Sequence, residues 1–399
     1  MVLPRYSGGA ARAVLAAWPM DEWTRALTAH RNGDMPAAEA GYRRVMAEAP
    51  RPGVLHNLAD VLERTGRVDE AGAIISSYLA GTPGHPRIRR TMASHLRLTR
   101  DLATALRMYE ELIEEEPDDP DHRWAYGMTL LGAARLQEAW SHYEHRPERL
   151  RVLPWAAKSG IAEWRGEDLT GKRLLIWHEQ GLGDQILAAR FIPMLGAASV
   201  SYGGPMALRR LFQQLGVNFG PVDQRIDAAD FDYWTLPLSM PGHLGVTEQL
   251  LPVSPYLSGR PTRHGGIGVV WKGDPRQTND AHRSLSPDLA ARLFSLPGAI
   301  SLDPADTGAA DFQDTADIVA GLDLVISVDT SVAHLAAAMG KAVWLPLGRY
   351  SRSWPFPWSA PSLWYPTVRA FKQAVPGEWR PVLDEIEAAV PTLHSGERA

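Results

Sequence analysis

Gly66-Arg67-Val68-Asp69-Glu70-Ala71 is one of four related stretches. Gly33-Asp34-Met35-Pro36-Ala37-Ala38 precedes it, and Arg100-Asp101-Leu102-Ala103-Thr104-Ala105 and Ala134-Arg135-Leu136-Gln137-Glu138-Ala139 follow, at intervals of about 34 residues. Four positions past the closing alanine stands Tyr42, Ile75, Tyr109 or Tyr143, and Pro50, Pro83 and Pro117 end the first three blocks. A repeat of this length is a helical pair. Small residues at Ala38, Ala59, Ala71, Ala93, Ala105 and Gly127 let antiparallel helices approach closely. One pair cannot bury its apolar face alone, so the pairs must stack. An α-solenoid over residues 1–150 is therefore predicted. Its groove is a recognition surface for a protein partner, or the array is simply a stabilising cap. Glu114-Glu115-Glu116, followed by Pro117-Asp118-Asp119, reads as a solvated repeat end rather than an acidic docking patch.

The 399 residues are 45% hydrophobic and 22% charged with a formal net charge of −5, an ordinary globular composition with room for two or three domains. No basic stripe is present to neutralise a phosphate backbone, which sets nucleic acid aside. With no cysteine, disulfides and thiol nucleophiles are excluded. Arg5 and Arg12 precede an apolar run at residues 13–18 that is shorter than a secretory core, and the start reads as cytoplasmic. The apolar window 322–347 carries Asp323, Asp329, His334 and Lys341, so it reads as buried α/β core and not as a membrane span.

The repeat pattern stops after Tyr143-Glu144-His145-Arg146-Pro147. Residues 151–171 read as a linker whose Trp155 and Trp164 pack the array against the C-terminal region. From residue 172 short apolar runs alternate with helical patterns, the signature of parallel sheets covered by helices. Strands are predicted at 173–177, 199–202, 233–237, 267–271, 300–302, 324–328 and 342–345. The Pro- and Gly-rich stretch 252–266 splits the region into two Rossmann-like halves, 172–260 and 261–399. Polar residues follow the strands at 178–184, 272–283, 303–306, 329–334 and 348–354. Ligands sit at the carboxyl ends of strands in such sheets, which points to one cleft.

Three strand-to-helix or strand-to-loop stretches carry chemistry. In His178-Glu179-Gln180-Gly181-Leu182-Gly183-Asp184 the glycines open a helix, but Ile186 stands where a dinucleotide fingerprint needs glycine, which disfavours NAD. Asp184 is either a general base or an N-cap, and spacing alone favours the cap. In Asp329-Thr330-Ser331-Val332-Ala333-His334 the hydroxyls begin a helix whose N–H groups favour a phosphate, and His334 is a ligand or a structural histidine. Trp271-Lys272 ends an apolar strand before a polar loop reaching Arg283. Lys272, then Arg283, is placed to stabilise a leaving pyrophosphate. Asp230-Phe231-Asp232 matches a metal-binding Asp-x-Asp but reads as structural. The aromatic run Trp354, Phe356, Trp358, Trp364 and Tyr365 reads as packing between the halves.

Taken together, these motifs resemble tetratricopeptide repeats fused to a heptosyltransferase-like glycosyltransferase domain of the family 9 or 41 type, with a GT-B fold. The resemblance runs through residues 179–184, 270–284, 326–335 and Trp364-Tyr365-Pro366. It implies a nucleotide-sugar donor held by Trp271, Lys272, Arg283, Asp329, Thr330, Ser331 and His334. It also implies an acceptor meeting Gly181, Leu182 and Gly183, and Asp184 as catalytic base with His178 in reserve. The implied chemistry is a metal-independent inverting displacement needing no cofactor, and the sugar is a hexose, a heptose or a nonulosonic acid. Fusion to repeats favours a protein acceptor, flagellin among them. The alternatives are a transferase acting on a lipopolysaccharide or lipid-linked sugar and an adaptor without activity. Ser301-Leu302-Asp303-Pro304 and residues 348–353 depart from the relatives and leave the donor open.

Overall fold

The computed structural model describes residues 20–48, 51–222, 227–275, 277, 280–351, 353–356 and 361–394. Pro50, Trp358, the run 13–18 with Arg5 and Arg12, and Arg276, Thr278 and Asn279 of the polar loop lie outside them. Contacts divide the chain into a unit ending at His95 and a second unit beginning at Leu96.

The first unit contains α1 (Met20–Arg31), α2 (Met35–Glu48), α3 (Pro52–Arg64), α4 (Val68–Gly81) and most of α5 (Pro86–Thr99). Its core joins Tyr42, Leu55, Leu62 and Ile75 with the small residues Ala38, Ala59 and Ala71. A Cβ on Gly41 would stand 2.6 Å from that of Ala26, so only glycine permits this approach of α1 and α2. Gly33 and Gly66, at the repeat turns, have left-handed φ of 80° and 84°.

The second unit continues the pattern with α6 (Leu102–Glu115), α7 (Pro120–Gly132) and α8 (Leu136–Tyr143). Its two turns hold φ of 78° at Arg100 and 59° at Ala134. For a residue with a Cβ this conformation costs about 1–2 kcal/mol that glycine avoids. Residues 151–171 differ from the expected linker. Helix α9 runs over Pro147–Ser159, and β1 (Ala162–Glu163) pairs parallel with β5 (Tyr233–Thr235). The cause is aromatic burial: Trp155 stacks on Trp177 at 5.1 Å, and Trp164 is 2% exposed.

The remainder holds two five-stranded parallel sheets. The first adds β2 (Arg173–Trp177), β3 (Ser199–Gly203) and β4 (Asn218–Gly220) in the order β1-β5-β2-β3-β4. The second has β6 (Ile267–Val270), β7 (Ala299–Ser301), β8 (Leu324–Ser327), β9 (Val343–Leu347) and β10 (Val368–Lys372) in the order β10-β9-β8-β6-β7. Helix α10 (Leu182–Ala188) follows β2. The others are α11 (Arg209–Gln213), α12 (Met240–His243), α13 (Pro287–Phe294), α14 (Pro304–Thr307), α15 (Phe312–Ala320), α16 (Ser331–Ala338) after β8, and α17 (Arg380–His394). The chain is thus an α-solenoid followed by two Rossmann-like halves. The seven predicted strands are present, while β1, β4 and β10 escaped prediction. Each of those three is an edge strand of its sheet, where two or three residues, or a half-buried Val-Arg-Ala-Phe-Lys, leave little apolar pattern. Among the described residues no helix is long and apolar enough to cross a membrane.

Candidate active site between two strand-to-helix turns

Strand β2 is buried through Leu174, Leu175 and Ile176, and its carboxyl end delivers His178 and the turn into α10. Gln180 takes a left-handed φ of 55°, and its Nε2 donates to the Tyr143 hydroxyl at 2.8 Å. Gly181 occupies the N-cap of α10, and Asp184 stands three residues on, inside the first turn. Its carboxylate reaches back to accept the Gly181 N–H at 3.1 Å. Asp184 therefore serves the cap from the third helical position rather than occupying it. Glycine lacks the side chain that would accept the Asp184 backbone N–H in return, so the capping box is one-sided. Asp184 keeps some exposed surface, yet protein packed around it pushes its carboxyl up to about 7. The Gly181 hydrogen bond opposes this, and the charges of Asp329, Glu179 and Glu148 add to it.

His178 is half-buried, and burial pushes its imidazole below the ordinary range, with Glu179 opposing. Its ring lies 5.8 Å from that of Trp177.

The second turn follows β8. Thr330 caps α16 in extended conformation without any hydrogen bond from its side chain to the helix. Its hydroxyl meets that of Ser327 at 3.0 Å. Among the described residues no side chain caps the first-turn N–H groups of α16, the condition for an anion at a helix N-terminus. Asp329 is raised by burial, with Arg283 and a hydrogen bond from Ser353 opposing. Arg283 donates to the Asp329 carbonyl and pairs with Asp280 at 3.0 Å. The polar loop folds back to bring it there, through the Leu285 N–H to the Trp271 carbonyl and the Gly273 N–H to Ser284 Oγ, both at 2.9 Å.

Helices α10 and α16, from different halves, pack directly on one another. A Cβ on Gly183 would come within 2.8 Å of His334 Cδ2, so the contact requires glycine. His334 is 6% exposed, its Nδ1 lies 3.1 Å from the Tyr365 hydroxyl, and its Nε2 lies 3.8 Å from Asp329 Oδ1. Burial, helped by the Arg190 charge, pushes its pKa to about 3, so the ring is neutral. The structure thus sets His334 beneath the turn between β2 and α10, while Thr330 and Ser331 remain half-buried at the helix mouth. Lys272 is the most exposed of the expected donor residues. Its ammonium lies 5.0 Å above the Trp271 ring and 3.8 Å from Asp303.

Three supports of this site were not foreseen. Arg146 is fully buried and grips Glu179 with two bonds of 2.7 and 2.9 Å, while Glu179 also accepts the Leu238 N–H. Arg190, 2% exposed, lies against the rings of Tyr256, Trp364 and Tyr365 and donates to the Trp364 carbonyl at 2.7 Å. Trp364 in turn meets Trp140 of α8 and Phe191 of the first half, so this member of the aromatic run packs between the halves. Glu179 and Arg146 both stood inside quoted motifs, but nothing local signals a pairing across 33 positions. Asp232 is held by Arg173 at the amino end of β2, away from the carboxyl ends where the two turns meet.

The tetratricopeptide repeat family matches residues 24–86 and 91–144. These segments are tetratricopeptide repeats. Protein FlbA of Caulobacter vibrioides is 25% identical, over 67% of this chain and 54% of that protein. The chain spans about half the length of this curated relative. Among solved structures, a mutant of the Thermobaculum terrenum O-GlcNAc transferase aligns at 14% identity with a TM-score of 0.37, covering 98% of this chain and 92% of that one. A mutant of MamA aligns at 18% identity with a TM-score of 0.26, covering 37% of this chain and 81% of that one.

Proposed function

We propose that the chain is a glycosyltransferase that moves a sugar from a nucleotide-sugar donor to a hydroxyl of a protein acceptor. Flagellin carrying a nonulosonic acid is one special case. The observation that carries this reading is Asp184, a carboxylate with its pKa near 7 on a turn packed against a helix whose N-cap threonine makes no capping hydrogen bond. A base with that pKa is half-deprotonated near neutrality, the condition for general-base catalysis there.

In this reading Asp184 takes the proton from the acceptor hydroxyl, and the oxygen attacks the anomeric carbon. The bond from that carbon to the phosphate oxygen breaks, and its electron pair leaves with the nucleotide. Lys272, Thr330, Ser331 and the α16 amides stabilise the departing charge. Trp271 and Arg283 shape the donor side, and Gly181, Leu182 and Gly183 present the acceptor. His178 is the reserve base. The displacement inverts configuration, and the chain's own cations serve where a metal otherwise would. The repeats supply a groove for the acceptor protein, with the reaction placed in the cytoplasm.

A thermal-shift screen against UDP, GDP, ADP, CDP and CMP tests this, with Lys272→Ala as the control. A nucleotide at about 100 times its Kd should add about 2.7 kcal/mol to wild-type stability, and less to the variant. No shift with any nucleotide would leave the repeat adaptor as the better reading.

A further inference from the structure

The first sheet finishes its two faces differently. On one face Tyr202 stacks on Phe219 at 5.4 Å and meets Phe212 at 5.1 Å, and the Tyr202 hydroxyl donates to Gln185 of α10 at 3.0 Å. On the other face the register aligns Leu175 with Ser201 and Asn218, and Trp177 with Gly203 and Gly220. Small and polar residues thus stand where a parallel sheet normally carries apolar residues under a helix. The connection from β4 back to β5 crosses this face, and such crossovers are usually α-helices. Here its described residues, 221–222 and 227–232, form no more than a 3₁₀ turn at Ala228–Asp230. A cavity of about 190 Å³ remains between the sheet and Pro221, Asp227, Asp230 and Phe231.

The aromatic wall of this cavity is set in advance. Trp177 stacks on Trp155 at 5.1 Å, and a Cβ on Gly203 would stand 2.7 Å from the Trp177 ring, so glycine is what lets the indole lie across β3. Phe231 adds a second half-buried ring. The side chains of Ser201, Asn218 and Asp230 hydrogen-bond no other described residue. Asp227 spends one oxygen on the Ala229 N–H at 3.0 Å. The cavity therefore offers hydroxyl and amide donors together with amide and carboxylate acceptors. That mixture suits neutral hydroxyl groups, each of which gives and takes a hydrogen bond. Two carboxylates repel a phosphate or an acidic sugar, and a cation would leave the Ser201 and Asn218 donors unused. Aromatic faces carry partial negative charge, which favours the C–H face of a sugar ring.

We propose that this cavity is a secondary binding site for a neutral sugar residue, lying against Trp177 and Phe231 with its hydroxyls bonded to Ser201, Asn218 and Asp230. It lies on the face of the sheet opposite α10, away from the contact between α10 and α16. The first carboxylate of the Asp-x-Asp thereby gains a role that needs no metal. The occupant is a sugar already carried by the acceptor, a role that rests on the glycosyltransferase reading, whereas the binding itself does not.

Saturation-transfer NMR on the full chain tests it with the methyl glycosides of glucose, galactose, mannose and N-acetylglucosamine. Glucuronate is the acidic comparison and methylguanidinium the cationic one. Wild type is compared with Asp230→Asn and with Ser201→Leu, which fills the floor of the cavity. At least one neutral glycoside should bind wild type and lose about tenfold in affinity in each variant, and glucuronate should bind about tenfold more weakly than the glucoside. Asp230 is exposed and Ser201 half-buried, so both variants should melt within a few degrees of wild type. Should Ser201→Leu fail to fold, Asp230→Asn decides alone. Unchanged sugar affinity in Asp230→Asn would overturn the site, as would the absence of binding by any neutral glycoside at about 50 mM. Methylguanidinium held through Asp230 more tightly than every glycoside would overturn it too, and would mark a seat for a basic side chain of a protein partner. A chain that binds a nucleotide and no sugar loses this site alone. One that binds a sugar through Asp230 and no nucleotide loses the transferase reading and keeps the site.

Discussion

The turns after β2 and β8 are built alike, each a parallel strand running into a short helix, and they are finished in opposite ways. At α10 a glycine caps the helix and a carboxylate three residues later reaches back to it, so a poorly solvated acid sits at the helix mouth. At α16 the cap is a threonine whose side chain leaves the helix amides alone, while Asp329 is held by Ser353 and offset by Arg283. One turn is left able to take a proton and the other to take an anion. The lesson is that backbone architecture fixes where groups meet, and the placement of a single carboxylate decides what the meeting does.

The largest expected effect separates the two carboxylates. Asp184→Asn should slow sugar transfer by about 10²–10⁴ with nucleotide affinity unchanged, whereas Asp329→Asn should weaken nucleotide binding and move the pH profile to lower pH, because its charge helps raise Asp184. Equal losses of turnover and affinity in both variants would abolish the distinction. In wild type, kcat/KM should rise with pH to a plateau above about 7, since Asp184 must lose its own proton first.

Stability should run the other way. Folded Asp184 binds its proton more tightly than the unfolded chain does, so its contribution is complete below about 4 and is lost as pH rises through about 7. Urea melts of Asp184→Asn should therefore show a gain over wild type of about 1–3 kcal/mol at pH 8, discounted for its partial exposure, and none near pH 4.

The next effect concerns the residues that hold the β2 turn. Arg146→Ala leaves Glu179 buried without its partner and should cost about 3–5 kcal/mol, read as a fall in melting temperature. A loss below about 1 kcal/mol would show that Glu179 reaches water. Gly183→Ala forces α10 off His334 and should cost about 1–3 kcal/mol with a loss of transfer. Unchanged activity there would mean the two turns work independently. Smallest of all, Asp232→Ala removes an exposed pair with Arg173 and should leave the melting temperature and transfer essentially unchanged. Any loss of transfer would return the Asp-x-Asp to the chemistry.

Much of this was legible in the chain. The repeat register placed Ala38, Ala71, Ala105 and Ala139 at interhelical contacts, because the period of a helical pair is a local property. The central strands were legible for the same reason: β2, β6 and β8 are buried nearly throughout and read as continuous apolar runs. Residues 151–171 were misread because α9 carries Pro154 inside it and β1 is two residues long, and both are held by Trp155 and Trp164 meeting distant rings.

The sequence by itself determined everything set by neighbours along the chain: the helical repeats, the parallel strands, and the glycine and hydroxyl turns that end them. Only the tertiary structure decided the state of the groups on those turns. Spacing favoured Asp184 as a cap and could not show its basicity, because a pKa depends on how much water is removed and which charges surround the group. Here those charges are Glu148, Glu179 and Asp329, the last more than a hundred residues away along the chain. The neutral ring of His334 and the Arg146 grip on Glu179 have the same origin. Desolvation and Coulomb energy act through space, and only the folded chain brings these partners together.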